Sequence, residues 1–182
     1  MNRILGLLIA TGTALAAVHA AGEPTAVVID VPFEAGPGQP CEFLGDFQRV
    51  EVREGATKIA DLWFCSAYGR ATAKVVTDAA GVSYLFLRLG EGHGTLARSE
   101  YLRIYRVAPV LDEYILQTPL SGQSNFHDRW QYSYAVSPLP DHGLRISLTL
   151  LPGTKDGSKR DKATYNPTDK TRVIDVGAVP SL

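Results

Sequence analysis

The stretch Arg129 to Leu151, RWQYSYAVSPLPDHGLRISLTLL, decides the fold. Trp130, Tyr132, Tyr134 and Val136 alternate with Gln131, Ser133 and Ala135. After the break SPLPDHG, Leu144, Ile146, Leu148 and Leu150 alternate with Arg145, Ser147 and Thr149. A period of two sends successive side chains to opposite faces, so each run has one wet and one dry face. The two runs form an antiparallel pair, and their dry faces need a second layer of sheet to cover them.

Working outward, the same signal recurs in shorter pieces. Ala26 to Phe33 predicts a first strand, with Pro32 at its end. Phe47 to Val52 and Lys58 to Cys65 flank a turn at Arg53-Glu54-Gly55-Ala56. Ala71 to Thr77 and Val82 to Leu89 flank Asp78-Ala79-Ala80-Gly81, a four-residue hairpin turn ending in glycine. Glu100 to Val107 mixes apolar and charged residues on both faces and predicts an exposed strand with an aromatic surface. Leu111 to Thr118 suits a strand or one short helix. Pro119 to Phe126 predicts a loop, Pro152 to Lys170 a long mobile loop, and Thr171 to Val176 a last strand. The expected fold is mainly β: an antiparallel β-sandwich or barrel of roughly 8–10 short strands, with at most one or two short helices.

The first twenty residues stand apart. Asn2-Arg3 gives a positive start, Ile4 to Ala17 is apolar and small, and Val18-His19-Ala20 carries small residues where a signal peptidase reads. This is the pattern of a secretory signal peptide over residues 1–20, cleaved after Ala20. Residues 21–182 then form a single β-rich domain. The apolar run is shorter than the roughly 20 residues a membrane-spanning helix needs, and no other long apolar run follows. Export to the periplasm or the exterior gives the two cysteines, Cys41 and Cys65, a setting in which they pair as a disulfide.

Loss of Arg3 with the leader moves the formal net charge of −1 to −2. A near-neutral chain lacks the clustered Lys and Arg on which nucleic-acid binding rests. The segment Lys155 to Arg172 concentrates basic residues, but interspersed aspartates make it a solvated loop.

Catalytic chemistry finds little purchase. Gly90-Glu91-Gly92-His93-Gly94-Thr95 lacks the Lys and the following helix of a phosphate loop, and reads as a hairpin tip. Of His93, His127 and His142, two adjoin aspartates (Asp128, Asp141), yet no pair has HxH or HExxH spacing. Ser121 and Ser124 lie near His127 and Asp128 without a GxSxG elbow. Asp112 and Glu113 are adjacent, so regular strand geometry points them to opposite faces. The chain therefore predicts no catalytic residue, cofactor or metal. A hydrolase or metal-dependent enzyme using His127 and Asp128, or His93, is the alternative, and a structural subunit of an envelope assembly a second.

What the chain does carry is aromatic surface chemistry: Tyr84, Phe86, Tyr101, Tyr105, Tyr114, Trp130, Tyr132 and Tyr134, with Arg88, Arg103, Arg106 and Arg129 nearby. Tyr, Trp and Arg are enriched at binding hot spots. The expected site is a face bearing Tyr101, Arg103, Tyr105, Trp130 and Tyr132. The expected function is non-catalytic binding of another envelope or extracellular protein, with an inhibitor or immunity-type factor as one form of it.

Overall fold

The computed structural model describes residues 23–31, 41, 45–67, 69–93, 97–111, 113–124, 128–152 and 169–177. The described residues are all-β, with no helix among them. Ten antiparallel strands follow in order: β1 (Thr25–Asp30), β2 (Gly45–Glu54), β3 (Thr57–Ala67), β4 (Thr72–Thr77), β5 (Ser83–His93), β6 (Ala97–Arg106), β7 (Leu116–Ser124), β8 (Asp128–Pro138), β9 (Leu144–Leu150) and β10 (Thr171–Val176). They form a three-stranded sheet, β1-β2-β3, and a seven-stranded ladder, β10-β9-β8-β7-β6-β5-β4. Residues 1–20, expected as a signal peptide, and most of the basic segment before Thr171 lie outside the described residues.

The alternation of residues 129–151 is realised as β8 and β9, with Tyr132 opposite Leu150, Tyr134 opposite Leu148 and Val136 opposite Ile146. The ladder is not flat. β7 pairs only with the beginning of β8, Ser121 to Ser124 against Asp128 to Gln131, and from Tyr132 onward β8 pairs with β9 instead. The strand thus turns a corner, and corners of this kind let one ladder fold into two packed layers. Two contacts demonstrate the folding. Gly143, between β8 and β9, donates its N–H to Asp78, between β4 and β5, at 2.7 Å. Lys74 of β4 lies over the ring of Tyr134 of β8 at 5.0 Å. Strands four places apart in a flat sheet would be about 19 Å from each other.

Two cores result. Between the leaf β4–β7 and the leaf β8–β10 lie Tyr84, Phe86, Leu102, Ile104, Leu120, Trp130, Tyr132, Leu144, Ile146, Leu148 and Val176. Between β4–β6 and the three-stranded sheet lie Val28, Val50, Val52, Ala60, Phe64, Leu85, Leu87, Leu89 and Tyr105. β5 is buried on both sides, which is why Tyr84 to Leu89 is nearly continuous in apolar residues rather than alternating. β6 is likewise interior: Leu102 and Ile104 are fully buried on one face and Tyr105 on the other. The expectation of an exposed strand at 100–107 is corrected by this double coverage.

The join between the sheets depends on small groups. Gly90 of β5 donates its N–H to the Ser66 hydroxyl at 3.1 Å, and a Cβ on Gly90 would sit 2.1 Å from the Ala67 carbonyl oxygen. The Gln48 side chain, buried on the inner face of β2, accepts from the Ala71 N–H at 3.0 Å and donates to Asp30 at 3.1 Å. The fold corner depends on Gly122 of β7, where a Cβ would come within 2.6 Å of the Trp130 indole.

Residues 119–124, expected as a loop, continue β7. Pro119 is accommodated beside a register shift opposite Glu100 and Tyr101, and Gly122 is the seat of Trp130. The expected bridge is present: Cys41 and Cys65 are disulfide-bonded with Cα atoms 5.6 Å apart. Cys65 lies opposite Phe47 near the start of β2, so the bond ties the chain just before β2 to strand β3. Closing a loop of this length contributes about 3 kcal/mol in the chain-entropy model.

Candidate functional site

The outward face of β6 and β7, beyond the edge of the three-stranded sheet, presents the most organised exposed chemistry among the described residues. Arg103 is its hub. Its Nε donates to the Gln117 side chain, directly opposite on β7, at 2.7 Å, and its guanidinium pairs with Glu91 of β5. The same guanidinium lies over the ring of Tyr114 at 5.4 Å, and Tyr114 meets Tyr105 edge to face at 6.3 Å. Burial pushes the Tyr105 phenol up, partly offset by the charge of Arg103 and the hydrogen bond its guanidinium donates to the Tyr105 oxygen. A guanidinium held from three directions gives up little freedom on binding.

Above this hub runs the β6–β7 connection. Leu111 is buried in the core, the Ile115 N–H bonds the Ile104 carbonyl at 2.7 Å, and the Val107 N–H bonds the Ser83 carbonyl at 2.9 Å. Between these anchors Val110 is 63% exposed, and Tyr114 and Ile115 are 48% exposed. Of the five large apolar side chains exposed among the described residues, these three share one connection. Scattered surface apolar residues are ordinary; their concentration on a tethered segment marks a contact surface.

The five side chains expected to share a face do not do so. Tyr101 and Arg103 are half-buried on β6, Tyr105 is buried in the core, and Tyr114 meets both Arg103 and Tyr105. Trp130 and Tyr132 turn inward at the fold corner, packed edge to face at 6.1 Å in the core between the two leaves. The Tyr132 hydroxyl donates to the Asp169 carbonyl at 2.7 Å. Closure of the leaves over the dry face of β8 separates this pair from the β6 residues.

A second aromatic surface escaped the sequence reading. On the outward face of β2 and β3, Phe47 stacks on Trp63 at 5.3 Å, and Arg49 lies over Trp63 at 5.2 Å. Glu51 continues the row, paired with Arg49 at 2.6 Å and with Arg53, and only 4% exposed. The Arg53 hydrogen bond holds its carboxyl below the ordinary range against the opposing effect of burial, helped by the charge of Arg49. The row was legible as alternation: Phe47, Arg49, Glu51 and Arg53 between Gln48, Val50 and Val52. It covers the sheet face with its own side chains, which is one way a sheet lives without a second layer.

The polar candidates are dispersed. His142 sits half-buried in the β8–β9 connection, His93 is at the end of β5, and His127 lies outside the described residues. Asp128 begins β8. The Ser121 hydroxyl donates to Glu100 at 2.9 Å, and Glu100 also pairs with Arg88 at 2.6 Å. Among the described residues no group of three or more His, Cys, Asp or Glu side chains could hold a metal ion, and no helix is long and apolar enough to cross a membrane. The disulfide fits an oxidising, extracellular or periplasmic setting.

No family model, curated protein sequence or solved structure matches the chain.

Proposed function

We propose that the chain is a small exported β-domain, periplasmic or secreted, that acts by binding another envelope or extracellular protein through its β6–β7 surface. The observation that carries this reading is the concentration of Val110, Tyr114 and Ile115 on one anchored connection above the Arg103 hub. Tyr and Arg anchors surrounded by apolar side chains are the composition of binding hot spots. Rigid tethering favours affinity because little ordering remains to be done on contact. An inhibitor or immunity-type factor is the form of partner-binding protein this scaffold suits.

The test is capture of partners from an envelope extract with the mature chain, with Tyr114→Ala, and with Ile115→Glu. Val173→Glu, an exposed position on β10, serves as the control. Ile115 and Val173 are exposed side chains, where stability changes stay within about 0.5 kcal/mol; Tyr114→Ala also removes the ring contacts with Arg103 and Tyr105, at about 1–2 kcal/mol. The expected result is loss of the captured partner with the two connection variants and retention with the control. Equal retention by all three, or equal loss, refutes the assignment of this surface.

A further inference from the structure

The two leaves of the folded ladder leave a seam between the free edge of β4 and strand β8. Three of the side chains beside it, Lys74, Arg88 and Tyr134, carry hydrogen-bond donors. Lys74, exposed on β4, lies over the Phe86 ring at 5.5 Å and the Tyr134 ring at 5.0 Å, so its side chain reaches from one leaf to the other. Among the described residues no carboxylate lies within ion-pair distance of Lys74. Arg88 shares its face of β5 with Phe86 and lies opposite Thr72 of β4. The charge of Arg88 reaches the half-buried Tyr134 phenol, where it opposes the upward push of burial. Glu100 pairs with Arg88 at 2.6 Å through one guanidinium nitrogen, and so balances one of the two cations.

We propose that this seam binds a small oxyanion, a carboxylate or a phosphate, through the Lys74 ammonium, the Arg88 guanidinium and the Tyr134 hydroxyl. Charge-assisted hydrogen bonds to an anion are the strong ones, and a guanidinium presents more donors than one carboxylate oxygen can occupy. The half-buried Tyr134 ring is the apolar surface beside these donors for a group attached to the anion. The seam lies apart from the β6–β7 surface, so its failure would leave the protein-binding reading intact.

The experiment is titration of the mature chain with inorganic phosphate and, separately, with sodium benzoate, followed by NMR shifts and calorimetry. Sodium chloride at matched ionic strength is the blank. Saturable binding by either probe, with shifts centred on residues 74, 88 and 134, is expected; the tighter probe identifies whether phosphate or an aromatic carboxylate is preferred. Lys74→Met keeps the apolar stem over both rings and removes the charge, and should weaken binding about tenfold or more. Lys74→Arg should retain it, and Tyr134→Phe, which keeps the ring, should weaken it several-fold. Lys58→Met, on the three-stranded sheet, should change nothing. Absence of saturation, a response matched by sodium chloride, or equal binding by Lys74→Met amounts to an adventitious ion only and overturns the proposal.

Discussion

Replacing Asp78 by Asn should open the fold at a polar clasp between the leaves. The Asp78 carboxylate is buried and accepts four hydrogen bonds. One oxygen takes the N–H groups of Ala80 at 3.0 Å and Val82 at 2.8 Å and so shapes the β4–β5 turn. The other takes the Gly143 N–H at 2.7 Å and the Tyr84 hydroxyl at 3.3 Å and so reaches across to the β8–β9 connection. Asn can keep the first pair but turns an NH2 group toward the Gly143 N–H. Losing a hydrogen bond to a charged acceptor and stranding a buried donor together cost about 2–4 kcal/mol. For a domain of this size that lowers the thermal midpoint by roughly 5–15 °C.

The pH dependence supplies a second check on the same group. Burial pushes the Asp78 carboxyl up, but the N–H groups of Gly143, Val82 and Ala80 and the Tyr84 hydroxyl outweigh it, and the net direction is downward. A carboxyl lowered in the folded state stabilises the fold above its unfolded pKa, and that contribution is lost as pH falls through the folded value. The difference between wild type and Asp78→Asn should therefore be constant at neutral pH and shrink below about pH 4. Urea unfolding followed by tryptophan fluorescence measures both, with an unchanged m-value showing that only stability moved. A variant as stable as wild type at pH 7, or a difference that does not shrink in acid, refutes the clasp.

Gly122→Ala should cost about 1–3 kcal/mol, because its Cβ meets the Trp130 indole at 2.6 Å and the packed corner has no room to yield; shifted tryptophan emission with a lower unfolding midpoint is the expected readout. Removing the bridge with paired Cys41→Ser and Cys65→Ser changes should lower stability by about 3 kcal/mol in the chain-entropy model, and reduction of the wild-type protein should lower it to the same level.

The parts of the fold visible in the sequence were the short apolar runs bounded by turns, among them those that became β1 to β5, and they were clearest where the period of two is strict. Trp130 to Val136, Leu144 to Leu150 and Thr171 to Val176 each became the strand their alternation implied. β7 was hidden because LQTPLSGQS contains a proline at a register shift and a glycine under an indole. Both residues report on a neighbouring strand, which a local reading does not include. The same limit explains the site. Tyr132 on β8 and Tyr101 on β6 look alike in sequence, and only the leaf that closes over β8 makes one core and leaves the other at the surface. The Asp78–Gly143 bond joins residues 65 apart and has no local signature. Gln117 meets Arg103 through sheet register and Glu91 reaches it from further along β5, so the hub was present in composition but not in spacing.

Among the described residues every hydrogen-bonded pair of strands joins neighbours in sequence, from β1 with β2 to β9 with β10. A polypeptide delivered end-first can therefore zip up one ribbon at a time, each new hairpin templated by its predecessor, without waiting for its far terminus. Only the stacking of finished layers demands distant partners, and each backbone group described in that step, Gly143, Gly90 and Ala71 N–H, meets a side chain rather than another backbone. The slow search through non-local strand pairings that burdens many β proteins is largely avoided by this order of connection.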